Sequence, residues 1–477
     1  MITEDTLWLP ISELAKRLKS RELSPVELAE AYLDRSRKIG PKLNAYAILT
    51  PELALEQARA AESEIRAGRY RGPLHGIPYA PKDLVAVKGY PTTWGAPPFA
   101  EQRFDYDAGI IERLNRAGAV MIGKAAMIEL AGGLGYSGGE ASLTGAARNP
   151  WNAECWTCGS SSGSGAVVGA GLANFAIGSD TRGSIICPTS WCGISGMRPS
   201  FGRVSRYGAM TISWSMDKLG PMARTAGDCG LIMSVIAGND PRDHDSLPAE
   251  LADFRYPSAS KPLRIGKLTN AWPANAELES TIDAAMKVME KAGARIADAK
   301  IPEGPFEDAA ELTILMEAAS AFRNMIRSGS CAKLKDPLGQ INGYASEEFS
   351  SSDYLDVQRV RAILQRAIDK LFDDFDVIAT AGSNSVAQPL VRPEQPARAG
   401  GGRGGRGGGG FVNQKAPDGV SSLCGLPALA VPCGFNKDNM PWALQFMARA
   451  TNDHAVVAAG RMFQELTDWH KKRPPVS

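Results

Sequence analysis

The chain has 477 residues, of which 44% are hydrophobic, and its 53 basic and 52 acidic side chains almost cancel. This balance of charge gives no electrostatic reason to expect a nucleic acid or an anionic membrane as a partner. No apolar run approaches the ~18 residues that span a bilayer, and the acidic start MITEDTLW lacks the basic and apolar regions of a signal peptide. A cytoplasmic protein with one large α/β domain is therefore expected.

Helices are predicted for residues 1–70, which we treat as an N-terminal helical segment packed on the core. Ser24 has the properties of an N-cap, because Pro25 follows it at the first helical position. A second helix is predicted over 51–67 and ends at Gly68.

The character of the sequence then changes, and residues 71–477 are predicted to form a single domain. Short apolar runs alternate with amphipathic runs, which favours an α/β fold built on a mixed sheet. Strands are predicted at 119–122, 175–178, 264–267, 294–296, 375–379 and 428–432. Helices are predicted at 110–117 and over most of 307–375, and the amphipathic stretch 275–297 predicts a further helix that stops short of Ala294.

The cysteines are expected to be reduced and buried, because eight of them in a chain of this length do not make a disulfide framework. Cys155 and Cys158 form a C-x-x-C pair, and Cys187 and Cys192 follow. Four thiolates could hold zinc, but the second pair is spaced too widely, and the segment between the pairs is rich in glycine and serine. We therefore expect no metal site.

A glycine-rich segment over 398–411 stands apart from the rest of the chain. Its centre at 400–410 contains nine glycines together with Arg403 and Arg406. Such a stretch buries no apolar surface and predicts a flexible loop. RGG-like repeats also occur in nucleic-acid-binding tails, so a non-catalytic RNA-binding scaffold stays open as an alternative of a different class.

Several better-known motifs match the sequence but lack their usual context. The 118–124 segment has the spacing of a phosphate loop, but Ala125 stands where a serine or threonine must hold magnesium. Ser137 and Ser161 each lie at the centre of a G-x-S-x-G match, without the apolar strand that precedes a nucleophile elbow. None of the four histidines has a convincing triad context: His75, His244, His454 and His470.

Glycine and serine dominate the stretch 158–190. Glycine lets backbone N–H groups approach a ligand closely, and the run 180–184 can turn successive N–H groups toward one point. Such a turn would stabilise an oxyanion beside the hydroxyl of Ser184. The alternative, from these residues alone, is tight packing, which glycine- and serine-rich turns also serve.

This stretch belongs to an ordered set of motifs. The motifs are GIPYAPKDL at 76–84, CGSSSGS at 158–164, GSDTRGSI at 178–185, CGISGMRP at 192–199 and GLPALAVP at 425–432. In sequence and in order they resemble the amidase signature family, and the resemblance covers nearly the whole chain. It implies the α/β amidase signature fold, with a large, mixed, twisted sheet covered on both faces by helices.

The resemblance also implies catalytic roles for particular residues. Ser184 stands at the family's nucleophile, Ser160 at its bridging serine, which follows a cis peptide bond, and Lys82 at its general base. A lysine acts as a base only where burial lowers its pKa, and a hydroxyl can relay a proton because it both donates and accepts. The implied oxyanion hole consists of four backbone N–H groups, those of Thr181, Arg182, Gly183 and Ser184.

A further set of residues is implied to bind the substrate. The segment 129–139 matches one that lines the family's acyl site, and its glycines would leave room for a bulky acyl group. The predicted substrate-binding residues are Gly132, Gly133, Leu134, Gly135, Tyr136, Ser161 and Ile185.

Three positions depart from the family's pattern. Cys158 and Ser162 replace glycines, and both are small enough to preserve the loop. Arg182 replaces a glycine of the oxyanion turn, which places a long cation beside the active site and puts substrate specificity in doubt. Lys88 is a rival base, but the aspartate of the motif does not follow it.

The function implied by the resemblance is hydrolysis of amide-type carbon–nitrogen bonds through an acyl-enzyme, without metal or organic cofactor. The expected partners are small amides or carbamates, urethanes included, with no nucleic acid and no membrane, and a homodimer is considered. A second alternative is the A subunit of glutamyl-tRNA amidotransferase, which shares the same catalytic residues but passes ammonia to a partner subunit.

Overall fold

A computed structural model of the chain describes residues 2–257, 262–271, 275–390 and 417–476. Within these residues the strands are β1 Tyr46–Leu49, β2 Pro78–Pro81, β3 Val120–Met121, β4 Gly123–Ala125, β5 Phe175–Asp180, β6 Ser195–Arg198, β7 Lys218–Ala223, β8 Arg264–Leu268, β9 Arg295–Ala299, β10 Val377–Ala381, β11 Ala428–Phe435 and β12 Pro441–Met447.

Ten of these strands form one sheet, in the order β3-β2-β5-β7-β6-β11-β12-β10-β8-β9, while β1 and β4 pair separately. The pairs β2–β3, β2–β5, β10–β8 and β8–β9 are parallel. The remaining pairs, from β5–β7 through β12–β10, are antiparallel. The sheet is therefore mixed, which confirms the α/β prediction.

Helices of three or more turns and several shorter ones surround this sheet. The α-helices of the described residues are α1 Ile11–Lys19, α2 Pro25–Leu43, α3 Pro51–Arg66, α4 Gly109–Arg116, α5 Ser162–Gly169, α6 Ile186–Cys192, α7 Ala226–Ile236, α8 Ala249–Ala252, α9 Ala276–Lys291, α10 Phe306–Ala321, α11 Arg323–Arg327, α12 Pro337–Ser346, α13 Ser351–Asp369, α14 Leu371–Asp374, α15 Pro417–Leu423 and α16 Asp453–Glu465. None of them combines the length and the apolar character needed to cross a bilayer.

Helices cover both faces of the sheet, as the alternation of side chains along β10 shows. Val377 and Ala379 belong to a core cluster that includes residues of α7 and α16. Ile378, which points to the opposite face, belongs to a second cluster with residues of α10 and α13. The two faces therefore have separate apolar cores.

The predicted helix starts and strands agree with the structure in most places. The Ser24 hydroxyl caps α2 by accepting hydrogen bonds from the N–H groups of Val26 and Glu27. The prediction of helices for residues 1–70 misses one strand, because Tyr46–Leu49 forms β1. This strand exists because a distant segment, β4, supplies its antiparallel partner, and no local pattern announces that partner.

The N-terminal segment packs closely on the rest of the molecule. The N–H of Ile11 donates to Asp228 Oδ1 at 2.9 Å, and the Asn174 amide donates to the carbonyl of Leu9 at 3.0 Å. The division of the chain at residue 70 stays a prediction. The glycine-rich segment predicted as a flexible loop, 398–411, lies outside the described residues.

Candidate active site

Lys82 lies immediately after β2, at the edge where the parallel strands β2 and β5 end. Its backbone N–H donates to the carbonyl of Ile177 in β5 at 2.9 Å. Strand β5 ends at Asp180, and Ser184 follows in the next turn. The carboxyl ends of neighbouring parallel strands meet at one edge of a sheet, where α/β proteins place ligands. Two segments about a hundred residues apart in sequence therefore meet here.

The ammonium group of Lys82 is completely buried and contacts two serines. Its Nζ donates to Ser160 Oγ at 2.8 Å and to Ser179 Oγ at 2.9 Å. Burial lowers the pKa of Lys82 to about 7, although the charges of Asp180 and Asp217 act in the opposite direction. A substantial fraction of the amine is therefore neutral near pH 7, and only the neutral form can accept a proton.

Ser160 lies in a tightly packed turn just before α5. The Gly159–Ser160 peptide bond is cis, and the Ser160 carbonyl accepts a hydrogen bond from the N–H of Ile128 at 3.2 Å. A Cβ atom at Gly159 would come within 2.6 Å of the Ile128 side chain. This position therefore accepts glycine alone without a shift of its neighbour.

Ser161 connects the segments of Ser160, Ser179 and Ser184. Its N–H donates to the carbonyl of Ser184 at 3.2 Å. Its hydroxyl donates to the carbonyl of Ser179 at 3.1 Å and accepts from the N–H of Ser179 at 3.2 Å. These bonds fix the turn that contains Ser160 and Ser161 against Ser179 and Ser184. The hydrogen-bonding groups of Ser161 named here are therefore used within the protein itself.

The turn 181–184 is organised by the carboxylate of Asp180. Its two oxygens accept hydrogen bonds from the N–H groups of Gly183 and Ile185, both at 2.7 Å. Burial acts to raise the pKa of Asp180, but the Arg198 guanidinium, 3.3 Å away, and the backbone donors hold it below its ordinary value. Asp180 therefore stays ionised and fixes the turn.

The predicted oxyanion donors differ in their availability. The N–H of Gly183 already donates to Asp180 at 2.7 Å, whereas the sequence predicts it among the oxyanion donors. The cause is the Asp180 side chain, which folds back onto the turn that follows it. Among the residues that the structure describes, the N–H groups of Thr181, Arg182 and Ser184 have no hydrogen-bond partner. Three donors of the same turn therefore remain beside the Ser184 hydroxyl.

The side chain of Arg182 extends from this turn to α10. Its guanidinium lies 2.7 Å from a Glu311 carboxylate oxygen and 3.8 Å from one of Glu307. Burial acts to lower the pKa of Arg182, but these two carboxylates outweigh it and raise the pKa. The cation that departs from the family's pattern is thus paired with carboxylates of α10.

The glycines of the 129–139 segment do not leave open room. A Cβ at Gly132 would lie 2.5 Å from the Tyr136 ring, one at Gly133 would lie 2.8 Å from Ile212, and one at Gly135 would lie 2.5 Å from Asn342. The protein's own side chains fill these spaces. Close packing therefore requires glycine at these three positions, and the role of the segment in an acyl site stays a prediction.

The same segment is held in place by two carboxylates. Glu129 accepts hydrogen bonds from the N–H groups of Lys335 and Asp336, both at 3.0 Å. Asp336, the N-cap of α12, accepts from the N–H and the hydroxyl of Ser137 at 2.7 and 2.6 Å. Of the other residues predicted to bind substrate here, Leu134 and Ile185 are buried.

Two of the cysteines are not free thiols. Cys158 and Cys187 form a disulfide, which corrects the expectation of reduced thiols at these positions and removes two ligands of the four-cysteine zinc alternative. Cys155 and Cys192 are free and buried, as expected. The disulfide escaped sequence reasoning because its two cysteines do not belong to the same C-x-x-C pair.

The discarded motifs and rival residues lie in other environments. Lys124 of the phosphate-loop-like segment forms a buried ion pair with Asp83 at 2.8 Å. His75 contacts Glu64 at 3.2 Å, and not a serine of the site. The rival base Lys88 is exposed. None of these residues therefore has the environment of a catalytic base beside the serines.

Sequence reasoning missed Ser179 as a partner of Lys82. The signal that could have found it is the alternation along β5: Ser179 and Ile177 point to the same face of the strand, and Ile177 pairs with the residue just before Lys82. Asp180 and Glu311 were missed as well, because neither the turn that Asp180 folds onto nor the ion pair between Arg182 and Glu311 has a local signature.

The fold and the site together define an α/β enzyme with a buried lysine and a group of serines at the ends of two parallel strands. The chain belongs to the amidase family, whose pattern matches residues 27–457. It is an amide-hydrolysing enzyme of the amidase signature type. The alternative of a non-catalytic RNA-binding scaffold is not supported by this assignment.

Individual relatives show the same relationship over almost the whole length. The chain is 35% identical to the A subunit of the glutamyl-tRNA(Gln) amidotransferase from Chloroflexus aggregans, covering 98% of this chain and 99% of the relative. The solved peptide amidase of Stenotrophomonas maltophilia is 28% identical, with a TM-score of 0.82 and 98% of both chains covered. A 6-aminohexanoate cyclic dimer hydrolase, 24% identical with a TM-score of 0.84 over 98% of this chain and 99% of the other, shows the shared fold.

Proposed function

We propose that this enzyme hydrolyses amide or carbamate bonds through a covalent acyl-enzyme, with Ser184 as nucleophile, Ser160 as proton relay and Lys82 as base. The observation that carries the proposal is the buried Lys82, with a pKa lowered to about 7 and its Nζ 2.8 Å from Ser160 Oγ. A lysine in this state is matched to proton transfer at neutral pH.

In the proposed acylation step the Ser184 oxygen attacks the substrate carbonyl carbon. The hydroxyl proton of Ser184 passes to Ser160, and the proton of Ser160 passes to the neutral amine of Lys82. When the tetrahedral intermediate collapses, the carbon–nitrogen bond breaks and the same path returns a proton to the leaving nitrogen. Water then attacks the acyl-enzyme by the same relay and regenerates Ser184.

The negative charge that develops on the carbonyl oxygen needs donors that are already in place. We assign this role to the N–H groups of Thr181, Arg182 and Ser184, because each lacks a partner within the described residues. Gly183 supports the turn through its bond to Asp180. Each preorganised donor of this kind contributes roughly 3 kcal/mol of transition-state stabilisation, and no metal or organic cofactor enters the scheme.

On the substrate side, the 129–139 segment would form a wall of the site. Tyr136 is its most prominent side chain, since its ring packs against Gly132 and stands edge-on to Trp156. Aromatic side chains give an apolar surface with a polar tip, which suits aryl amides and aryl carbamates. Urethane hydrolysis is therefore included in the proposal.

Substitution of the three catalytic residues tests the proposal. Ser184→Ala should lower kcat by roughly a thousandfold or more, because no other group supplies the nucleophile. Lys82→Ala should cost nearly as much, and Ser160→Ala less, because a water molecule can replace a hydroxyl as relay. The assay is a panel of anilides, primary amides, esters and carbamates, combined with mass-spectrometric location of a fluorophosphonate serine probe.

Ser137 provides the matched control for the probe, since it lies in a G-x-S-x-G match but binds Asp336. Label on Ser184, abolished by Ser184→Ala and retained in Ser137→Ala, supports the assignment. Substantial turnover by Ser184→Ala, or label on another serine, contradicts it.

Glutaminase function within an amidotransferase is the second candidate. It is favoured by the 35% identity to the A subunit of a glutamyl-tRNA(Gln) amidotransferase over 98% of this chain. This role would require transfer of ammonia to a partner subunit. Co-purification of the protein from its own host with a B subunit, and glutamine hydrolysis stimulated by that subunit, would favour it over a stand-alone hydrolase.

Two expectations from the sequence stay predictions. A cytoplasmic location is checked by cell fractionation, and a homodimer by sedimentation or light scattering. The disulfide between Cys158 and Cys187 argues against a cytoplasmic location, because disulfides persist mainly in oxidising compartments.

A further inference from the structure

Asp217 is a buried carboxylate that lies immediately before β7 and contacts the turn 181–184. Its Oδ1 accepts a hydrogen bond from the hydroxyl of Thr181 at 2.6 Å. Its Oδ2 accepts hydrogen bonds from the backbone N–H groups of Ile212 and Ser213, at 2.7 and 3.1 Å. One side chain therefore joins the turn that follows β5 to the segment that precedes β7.

Both segments that Asp217 joins belong to the proposed site. The N–H of Thr181 is one of the three donors assigned to the oxyanion, and it has no partner within the described residues. The Ile212 side chain packs against the 129–139 segment, since a Cβ at Gly133 would lie 2.8 Å from it. Asp217 thus connects an oxyanion donor with the segment that is predicted to line the acyl site.

The hydrogen bonds of Asp217 are those of an ionised carboxyl group, because Thr181 and the two backbone groups all donate to it and it donates to none. Burial raises the pKa of Asp217, while these donors and the charge of Arg206 act in the opposite direction. The carboxylate lies near Lys82, since Thr181 is two residues after Ser179, whose Oγ accepts a hydrogen bond from Lys82 Nζ.

We propose that Asp217 is a positioning residue of the active site, which holds the Thr181 oxyanion donor in place and supplies a negative charge to the surroundings of Lys82. This role rests on the proposed function of Ser184 and Lys82. Asp217 touches none of the reacting atoms and acts only through Thr181 and Lys82.

The two effects of Asp217 should appear in different kinetic parameters. The oxyanion develops only after the substrate is bound, so a displaced donor lowers kcat and leaves KM almost unchanged. The negative charge acts on the protonation of Lys82, because Asp217 and Asp180 both raise the pKa of this lysine against the effect of burial. The charges of Arg206 and Lys218 also interact with Asp217, and both stay in place in the variants below.

Two substitutions of Thr181 test the positioning effect with acetanilide as substrate. Thr181→Val keeps the backbone N–H and the branched shape but removes the hydroxyl that donates to Asp217, and kcat should fall roughly tenfold to a hundredfold with little change in KM. Thr181→Ser restores the hydroxyl and should recover most of this loss. A role of Thr181 in packing alone predicts the reverse order, because valine reproduces the shape of threonine better than serine does.

Asp217→Asn tests the charge effect. The amide oxygen of asparagine can accept from the N–H groups of Ile212 and Ser213, and its NH2 can donate to the Thr181 hydroxyl, which accepts as well as donates. The contacts are therefore retained and the charge is lost. The acid limb of the kcat/KM profile should move to lower pH, because the ammonium form of Lys82 loses a stabilising charge. Thr181→Val should move this limb less.

Asp453→Asn is the matched control for the loss of a buried carboxylate. Asp453 is buried at the start of α16, and it accepts hydrogen bonds from the N–H and the hydroxyl of Ser200 at 2.8 and 2.5 Å. This substitution should leave the acid limb in place. Circular dichroism checks that each variant is folded, and if Asp217→Asn does not fold, the two Thr181 variants decide by themselves.

Three results would overturn the role of Asp217. They are a kcat of Thr181→Ser that is no higher than that of Thr181→Val, an acid limb that stays in place in folded Asp217→Asn, and an equal movement of the limb in Asp453→Asn. In each case continued, Ser184-dependent turnover of acetanilide would leave the proposed function standing. Failure of the wild-type enzyme to hydrolyse acetanilide or to label at Ser184 would overturn both.

Discussion

Lys82, the proposed base, shows how burial favours the neutral form of an ordinarily charged side chain. An ammonium group removed from water is destabilised relative to the neutral amine, and here that effect exceeds the attraction of Asp180 and Asp217. The hydrogen bonds to Ser160 and Ser179 hold the nitrogen at one point. Sequence reasoning could select Lys82 from its motif, but the degree of burial and the second serine depend on how β2, β5 and α5 pack.

The pH dependence of catalysis should report the neutral fraction of Lys82. The pKa of Lys82 is lowered to about 7, so the base is protonated and inactive below this value. We expect kcat/KM to rise with pH through about 7, to fall roughly tenfold per pH unit on the acid side, and to level off above. Initial rates on acetanilide in constant-ionic-strength buffers measure this profile.

Lys218 is the control for this assignment. It is also a buried lysine with a pKa lowered by burial. Lys218 in β7 lies opposite Asp180 of β5 in the antiparallel register. The side chain of Asp180 points to the face of β5 opposite to that of Ser179. Lys218→Met should therefore keep the pH profile, whereas Lys82→Met should abolish activity. Loss of the acid limb in Lys218→Met would identify Lys218 as the titrating base instead.

The two short helices α5 and α6 carry the serine segments of the site. Helix α5 follows Ser160 closely, and α6 begins just after Ser184. The disulfide joins them, because Cys158 lies two residues before Ser160 and Cys187 lies within α6. The sequence shows this region as one glycine- and serine-rich stretch, without a prediction of either helix. The covalent connection between the two segments depends on how they meet in the fold.

The stability of the protein should depend on this disulfide. It closes a loop over a sequence separation of 29 residues, and a loop of this size restricts the unfolded chain enough to stabilise the fold by about 3 kcal/mol. Cys158→Ser combined with Cys187→Ser should lower the free energy of unfolding by about this amount. Urea denaturation without reductant measures the difference.

Reductant supplies the control for the disulfide experiment. Dithiothreitol should destabilise the wild-type protein to a similar extent and leave the double variant unaffected. Two additional reactive thiols in the unfolded, non-reduced wild-type protein, found by alkylation and mass spectrometry at Cys158 and Cys187, would show that the bond is absent.

At the scale of the whole molecule, Asp228 connects the N-terminal helices to the sheet. It lies in α7 and accepts the N–H of Ile11 at the start of α1. Burial raises the pKa of Asp228 to about 7, far above the ordinary value of 3.8. The folded protein therefore binds a proton at this carboxyl at pH 6, whereas the unfolded chain does not.

This shift predicts a pH-dependent stability with a definite sign. Because the folded pKa is raised, the stabilising contribution is complete below pH 4 and is lost as pH rises through about 7. Asp228→Asn mimics the neutral carboxyl and still accepts the Ile11 N–H. Its free energy of unfolding relative to wild type should increase by up to about 3 kcal/mol between pH 5 and pH 8. Parallel denaturation curves at the two pH values measure this, and a constant difference would contradict it.

The sequence by itself determined the family, the α/β class, the N-cap at Ser24 and the positions of Lys82, Ser160 and Ser184. These follow from local chemistry, since a cap, an amphipathic run and a catalytic motif are all read over a few adjacent residues.

Only the tertiary structure decided the contacts between distant segments. It joined Cys158 to Cys187, paired Arg182 with Glu311, gave Lys82 its second partner, Ser179, and filled the space beside Gly133 with Ile212. The physical reason is the same in each case. The energy of these contacts depends on burial and distance between residues far apart in the chain, and no local pattern contains either quantity.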